Sequence, residues 1–142
     1  MKPVNAPSKQ RGMLLLEALV GILIFSIGIL AMLGMQAVGM RNTIDSKYRS
    51  EAAYFANQIV GTMWVDRANI ASYDDAAGGN ARLTAWVSKV TSTLPQDPAN
   101  PTSTAPSITI AGRQATILVR WKRPGETTVS SYTVIAQIND PT

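Results

Sequence analysis

From Ala18 to Met35 the chain reads ALVGILIFSIGILAMLGM, a run without a charge in which Ser26 carries the sole polar side chain. No other feature constrains the fold more. At about 1.5 Å per residue, an uninterrupted helix of this length just spans a hydrocarbon core roughly 30 Å thick. Gly21, Gly28 and Gly34 interrupt the run. In water each would weaken a helix by about 1 kcal/mol relative to alanine. In lipid or in a helix bundle the same glycines let neighbouring helices approach closely.

The charge around the run is lopsided. Lys2, Lys9 and Arg11 all precede Gly12, and no acidic residue does. The 142-residue chain carries a formal charge of +4, but without those three, ten of its thirteen basic residues face nine acidic ones. The basic excess therefore reads as a topology signal that keeps residues 1–12 cytoplasmic, rather than as a phosphate-binding surface. The chain also has no Cys and no His. That excludes disulfides, thiol nucleophiles, a lipidated cysteine anchor, histidine general bases and the common zinc sites.

Two simple accounts of the run leave something over. A secretory signal peptide has an apolar region of about 7–15 residues followed by a small-residue cleavage site, whereas this run is longer and has no A-x-A site at its end. A plain single-pass anchor explains the length but not Glu17, one residue before the run. A central intramembrane acid costs about 2.5–3.5 kcal/mol on insertion scales, less near a helix end, and by default marks a functional position with a partner.

The order Gly12, Met13-Leu14-Leu15-Leu16, Glu17, then a long apolar helix resembles the prepilin signature of type IV pilins and type II secretion pseudopilins. The resemblance implies cleavage after Gly12 by an inner-membrane prepilin peptidase, which retains the helix and methylates the new N-terminal amine of Met13. Glu17 is then the fifth residue of the cut chain, where the family carries its glutamate. Its implied role is assembly register: the carboxylate meets the amine of Met13, and a misplaced subunit leaves a buried charge unpaired at a cost of several kcal/mol. Whether that amine belongs to the same chain or a neighbour is open. Met13 departs from the phenylalanine usual in major pilins, and Gly34 lies near where many of them carry a helix-bending proline.

Beyond Met35 the helical pattern continues. Ile44, Tyr48, Ala52, Phe55, Ile59 and Met63 recur at intervals of three and four, with Arg41, Asp45, Lys47, Arg49 and Glu51 mostly off that stripe. This predicts an amphipathic helix continuous with the apolar one, to about Asp66, with Tyr48, Phe55 and Trp64 in the core. Asn69 to Ala81 reads as a loop from its Asp, Gly and Asn content. Leu83, Trp86, Val87, Val90 and Leu94 predict a second helix, ended by Pro95. PQDPANPTSTAPS predicts an irregular surface segment.

The C-terminal third alternates with period two. Ile108 and Ile110 share a face, a turn follows near Gly112, and Ala115, Ile117, Val119 and Trp121 share another. Pro124-Gly125 marks a turn. Tyr132, Val134, Ala136 and Ile138 form the last alternation, out of phase with Val129, which predicts a bulge near Ser130. The strands read as an antiparallel meander. The order of these elements is also similar to that of V-type minor pilins, through RSEAAYFANQIVGTMW, the Trp86 helix ending in Leu94-Pro95, and TILVRW before a tyrosine-bearing strand. Lack of Cys fits a minor subunit, since major pilins commonly carry a C-terminal disulfide.

No catalytic constellation is present: the chain has neither G-x-S-x-G nor a P-loop motif. Asp74-Asp75 is a weak calcium signal without supporting ligands. Arg120 to Arg123, the run RWKR, reads as a solvated strand face before it reads as a contact for DNA.

The expectation is an α+β, pilin-like fold: a long N-terminal helix, half membrane-spanning and half amphipathic, on a small antiparallel sheet of about three to four strands. Residues 1–12 form the leader, 13–40 the membrane or filament-core helix, and 41–142 a periplasmic domain. The site residues are Gly12 and Met13 for cleavage, Met13 for methylation and Glu17 for register. No enzyme activity, cofactor or metal is expected. The expected partners are the peptidase, the inner membrane, the major pilin and other minor pilins, met through the helix and the sheet edge. The alternatives are a minor pseudopilin of type II secretion, and a tip-located adhesin or DNA-uptake subunit.

Overall fold

The structure, a computed structural model, describes residues 9–139, with side chains from residue 12 onward. Most of the basic leader, including Lys2, and the side chains of Lys9 and Arg11 lie outside the described residues. The chain divides into two units, residues 1–44 and 45–142. Helix α1 (Lys9–Val65) makes up the described part of the first unit and opens the second.

In the first unit, Leu, Met and Ala supply good helix formers, and the hydroxyls of Ser26 and Thr43 are satisfied locally. Ser26 Oγ donates to the carbonyl of Ile22 at 2.7 Å, and Thr43 Oγ1 to that of Gly39 at 3.0 Å. Such back-bonding leaves no free hydroxyl in the apolar run. Every residue from Gly12 to Ile44 is exposed, and the helix is long and apolar enough to cross a membrane.

The second unit is α+β. After α1 come two short 3₁₀ helices (Arg67–Tyr73 and Asp75–Ala77), α2 (Ala81–Thr93), a one-turn α3 (Pro101–Thr104) and strands β1 (Ser107–Ala111), β2 (Gln114–Trp121) and β3 (Ser130–Gln137). The strands form an antiparallel meander in the order β1-β2-β3. The register runs from Ser107↔Leu118 to Ala111↔Gln114, and from Gln114↔Gln137 to Trp121↔Ser130. Gly112 turns the two-residue β1–β2 hairpin with φ 61°, the left-handed value that glycine supplies at the first turn position.

One core joins these elements. Ala52, Phe55, Ala56, Ile59 and Met63 of α1 meet Leu83, Trp86 and Val90 of α2, Leu94 just after it, Ile108 of β1, and Ala115, Ile117, Val119 and Trp121 of β2. Each large side chain hidden this way contributes about 1.5–3 kcal/mol. The indole Nε1 of Trp86 donates to the Phe55 carbonyl at 2.9 Å, tying α2 to α1. Asn80 caps α2, its side chain accepting from Leu83 N at 2.9 Å.

Several expectations need correction. Trp64 is 42% exposed, because one residue past Met63 rotates it about 100° off the buried stripe. Ile44 is exposed, and the stripe is fully buried only from Ala52. The segment 69–81 is not a simple loop: it holds the end of one 3₁₀ helix and the whole of another, with Ile70 and Tyr73 buried. The proline-rich segment contains α3 and buries Asp97 and Thr104. No bulge occurs near Ser130, since Val129 precedes β3 and the β2–β3 register is unbroken.

Candidate functional site

The residues singled out from the sequence share the first turns of α1. Gly12, Met13 and Glu17 all face solvent, Met13 at 71% exposure. Met13 and Glu17 are four residues apart and therefore lie on one helix face. Side chains tilt toward a helix N-terminus, so the Glu17 carboxylate leans over the turn that contains Met13. Among the described residues nothing forms an ion pair with it. Within these first turns helix propensity is lowest at Gly12, where the Gly12–Met13 bond begins.

C-terminal to Glu17, the large side chains from Leu19 through Val38 to Met40 are exposed on all sides of α1. Soluble monomers rarely expose continuous apolar surface beyond a few hundred Å². The helix therefore needs a cover, and its uniform apolarity fits lipid or other helices rather than one protein face. The arrangement offers a hydrophobic stem with one acid at its head. It offers no reacting pair.

The other sequence candidates turn out to be structural. The Asp74 carboxylate accepts from Ile110 N at 2.7 Å and Ala76 N at 2.7 Å, and Asp75 Oδ2 accepts from Ile108 N at 2.8 Å. The Ile110 N–H first, then that of Ala76, holds the Asp74 carboxyl below its ordinary value. These acids are spent on the backbone of β1, and no metal-binding acidic cluster exists among the described residues.

RWKR is likewise not a solvated strand face. β2 ends at Trp121. Arg120 donates to the Ala105 carbonyl at 3.3 Å. Lys122 Nζ meets Asp97 Oδ2 at 2.8 Å. Arg123 reaches Asp45 at 3.8 Å and Glu126 at 3.5 Å. The Lys122 hydrogen bond is the main reason the Asp97 carboxyl titrates below its usual range, helped by the N–H of Ala99.

A polar knot around Asp66 was not foreseen. Asn69, Tyr73 and Arg82 donate to its carboxylate at 2.8, 3.0 and 2.6 Å. Asn69 and Tyr73, ahead of Arg82, draw its titration down. The sequence signal was the acid placed just after the last helical residue, followed by Asn at i+3 and Tyr at i+7.

Comparison with protein-family models, with curated proteins and with solved structures finds no match for this chain.

Proposed function

We propose that the chain is a type IV minor pilin: a structural subunit, not an enzyme, that helps initiate pilus assembly. It is made as a single-pass inner-membrane precursor with a cytoplasmic N-terminus and a periplasmic α+β domain. Prepilin peptidase cuts after Gly12 and methylates Met13, and the subunit then joins other minor pilins and the major pilin.

The observation that carries this reading is the setting of Glu17. It is an exposed acid at the head of an apolar helix, unpaired among the described residues, at the fifth position after a glycine that closes a basic leader. Cutting after Gly12 would create a cation on the same helix face, one turn away. In a low-dielectric helix bundle such a pair attracts strongly, and an unpaired member is costly. The lone acid thus gains a function in assembly that a simple anchor does not give it. The α+β layout, with an amphipathic half-helix sharing a core with a three-stranded meander, accords with a pilin-like fold. The internal partners of Arg120, Lys122 and Arg123 weigh against a DNA-uptake surface on that run.

Deletion and complementation in the source cell test the reading. Loss of surface filaments, restored by the intact gene but not by a Gly12→Val precursor, is the expected result. Normal filaments with loss of secreted enzymes would make the chain a type II secretion pseudopilin instead. No effect on either process would reject both.

A further inference from the structure

Arg123, just past the end of β2, is a sheltered cation that its neighbours satisfy poorly. Its side chain is 24% exposed. Nη1 lies 3.8 Å from Asp45 Oδ1, and Nη2 lies 3.5 Å from Glu126 Oε1. Both contacts are long beside the roughly 2.7–2.9 Å of a charge-assisted hydrogen bond. Among the described residues the guanidinium makes no hydrogen bond, and its Nε is buried without an acceptor. The adjacent Lys122 is different, held to Asp97 at 2.8 Å. A guanidinium offers five donors in a rigid planar fork, and buried donors are paired in nearly all proteins. Arg123 is therefore built for an acceptor that its own chain supplies only weakly.

The local fold puts this arginine in the wall of a cleft. Arg123 opens a tight turn in which Gly125 has φ 81° and Glu126 N donates to Arg123 O at 3.1 Å. Proline second and glycine third is the pattern of a type II turn. Lys122 N donates to the Pro95 carbonyl at 2.9 Å, which lays residues 96–99 alongside that turn. Between the two segments lies a cleft of about 460 Å³, a volume within the range of small-ligand sites. Pro98, Ala99, Pro124 and Gly125 give it apolar walls. Lys122 and Asp97 balance each other there, while Arg123 and Glu126 face it without a hydrogen bond to each other's side chain.

We propose that this cleft binds a carboxylate, which Arg123 takes through two parallel N–H donors after displacing Glu126. A carboxylate matches the planar fork in shape and balances its single charge. A phosphate dianion fits less well, because Asp45, Asp97 and Glu126 already place three carboxylates around Arg123 and the cleft. Glu126 is a weak tenant: partly exposed, 3.5 Å away and held by no hydrogen bond. Turning it out to water costs little, as for any exposed ion pair. The Nε–Nη2 edge is then free, and Nε gains the acceptor it lacks. The apolar walls suit the aliphatic or peptide part of the ligand. A free small acid and an acidic side chain of another protein present the same group. The proposal goes beyond the pilin reading and does not rest on it.

Arginine Nε–H signals in a proton–nitrogen NMR spectrum read the test directly. The full-length chain, labelled with nitrogen-15 in detergent micelles, is titrated at constant ionic strength. The probes are butyrate, the blocked peptide acetyl-Gly-Glu-Gly-amide and inorganic phosphate. The signal lost in Arg123→Lys identifies Arg123. A saturable shift of that signal with butyrate or the peptide is expected, with phosphate about tenfold weaker or worse. Tighter butyrate would assign the site to free acids, tighter peptide to a protein side chain, and either supports the proposal. Glu126→Ala should tighten binding about threefold or more. Arg123→Lys keeps the charge and loses the fork, so binding read from the Gly125 and Glu126 amides should weaken about tenfold. Circular dichroism checks the fold of both variants, and the titration of the unaltered chain needs neither. No saturable shift with either carboxylate, phosphate bound as well, undiminished binding by Arg123→Lys, or no gain from Glu126→Ala would overturn the proposal.

Discussion

Asp74 accepts the main-chain N–H of Ile110 at 2.7 Å, placing a carboxylate where a fourth strand would otherwise add. One side chain here closes a sheet edge and anchors the 3₁₀ segment before α2. Its carboxyl is held low chiefly by that N–H. A group whose folded pKa lies below its unfolded one stabilises the fold above the unfolded value, here 3.8, and loses that contribution as pH falls through the folded value. Asp74→Ala should lower the midpoint of thermal unfolding at pH 7. It should also flatten the loss of stability below pH 4. Unchanged melting at pH 7 would show that the edge does not need its acid.

Lys122 and Asp97 form a 2.8 Å pair that is mostly sheltered from water, whereas Lys47 and Glu51 form an exposed i,i+4 pair at 3.8 Å. Removing Lys47 should change stability by about 0.5 kcal/mol or less. Lys122→Met should be clearly more destabilising, because it strands Asp97 in a buried setting. Urea titration of both variants decides the order, and equal effects would place the Lys122 pair among ordinary surface contacts.

Two tryptophans separate packing from pattern. Trp86 is 6% exposed and bonded to Phe55, while Trp64 is 42% exposed. Trp86→Phe should cost about 1 kcal/mol for the lost hydrogen bond alone, and Trp86→Ala about 3–5 kcal/mol. Trp64→Ala should stay near 0.5 kcal/mol, as surface changes do. Chemical denaturation of the three variants measures all of these.

What the sequence made legible follows physical range. Periods of 3.6 and 2 carry over long elements, so α1, α2 and the three strands stand near where their apolar spacing put them. Val129 broke the alternation because it sits in the connection before β3, not in a bulge. Trp64 was drawn into the core by its type, although its angle on the helix excluded it. The least legible parts rest on distant polar contacts. Asp74 is 36 residues from Ile110, and Lys122 is 25 from Asp97. No local pattern marks such pairs, so the sequence shows Asp74-Asp75 as a weak calcium signal and RWKR as a solvated strand face. Gly12, Met13 and Glu17 were visible as a spacing, and the structure adds that they lie exposed on a continuous helix.

Glu17 bears the assembly proposal. Glu17→Val removes the charge, keeps an apolar helix and leaves Gly12-Met13 intact. The chain should still be cut, and should then fail to enter filaments or do so at a small fraction of the normal level. Immunoblots of sheared filaments against whole membranes read both steps. Normal incorporation would reduce Glu17 to a residue tolerated at the membrane surface.

The most direct measurement is mass spectrometry of the chain's N-terminus, purified from its native membranes. The account predicts a chain that begins at Met13, carries one methyl group on its amine and retains the whole apolar run. A chain that still begins at Met1, or one cut beyond Met35, would contradict it.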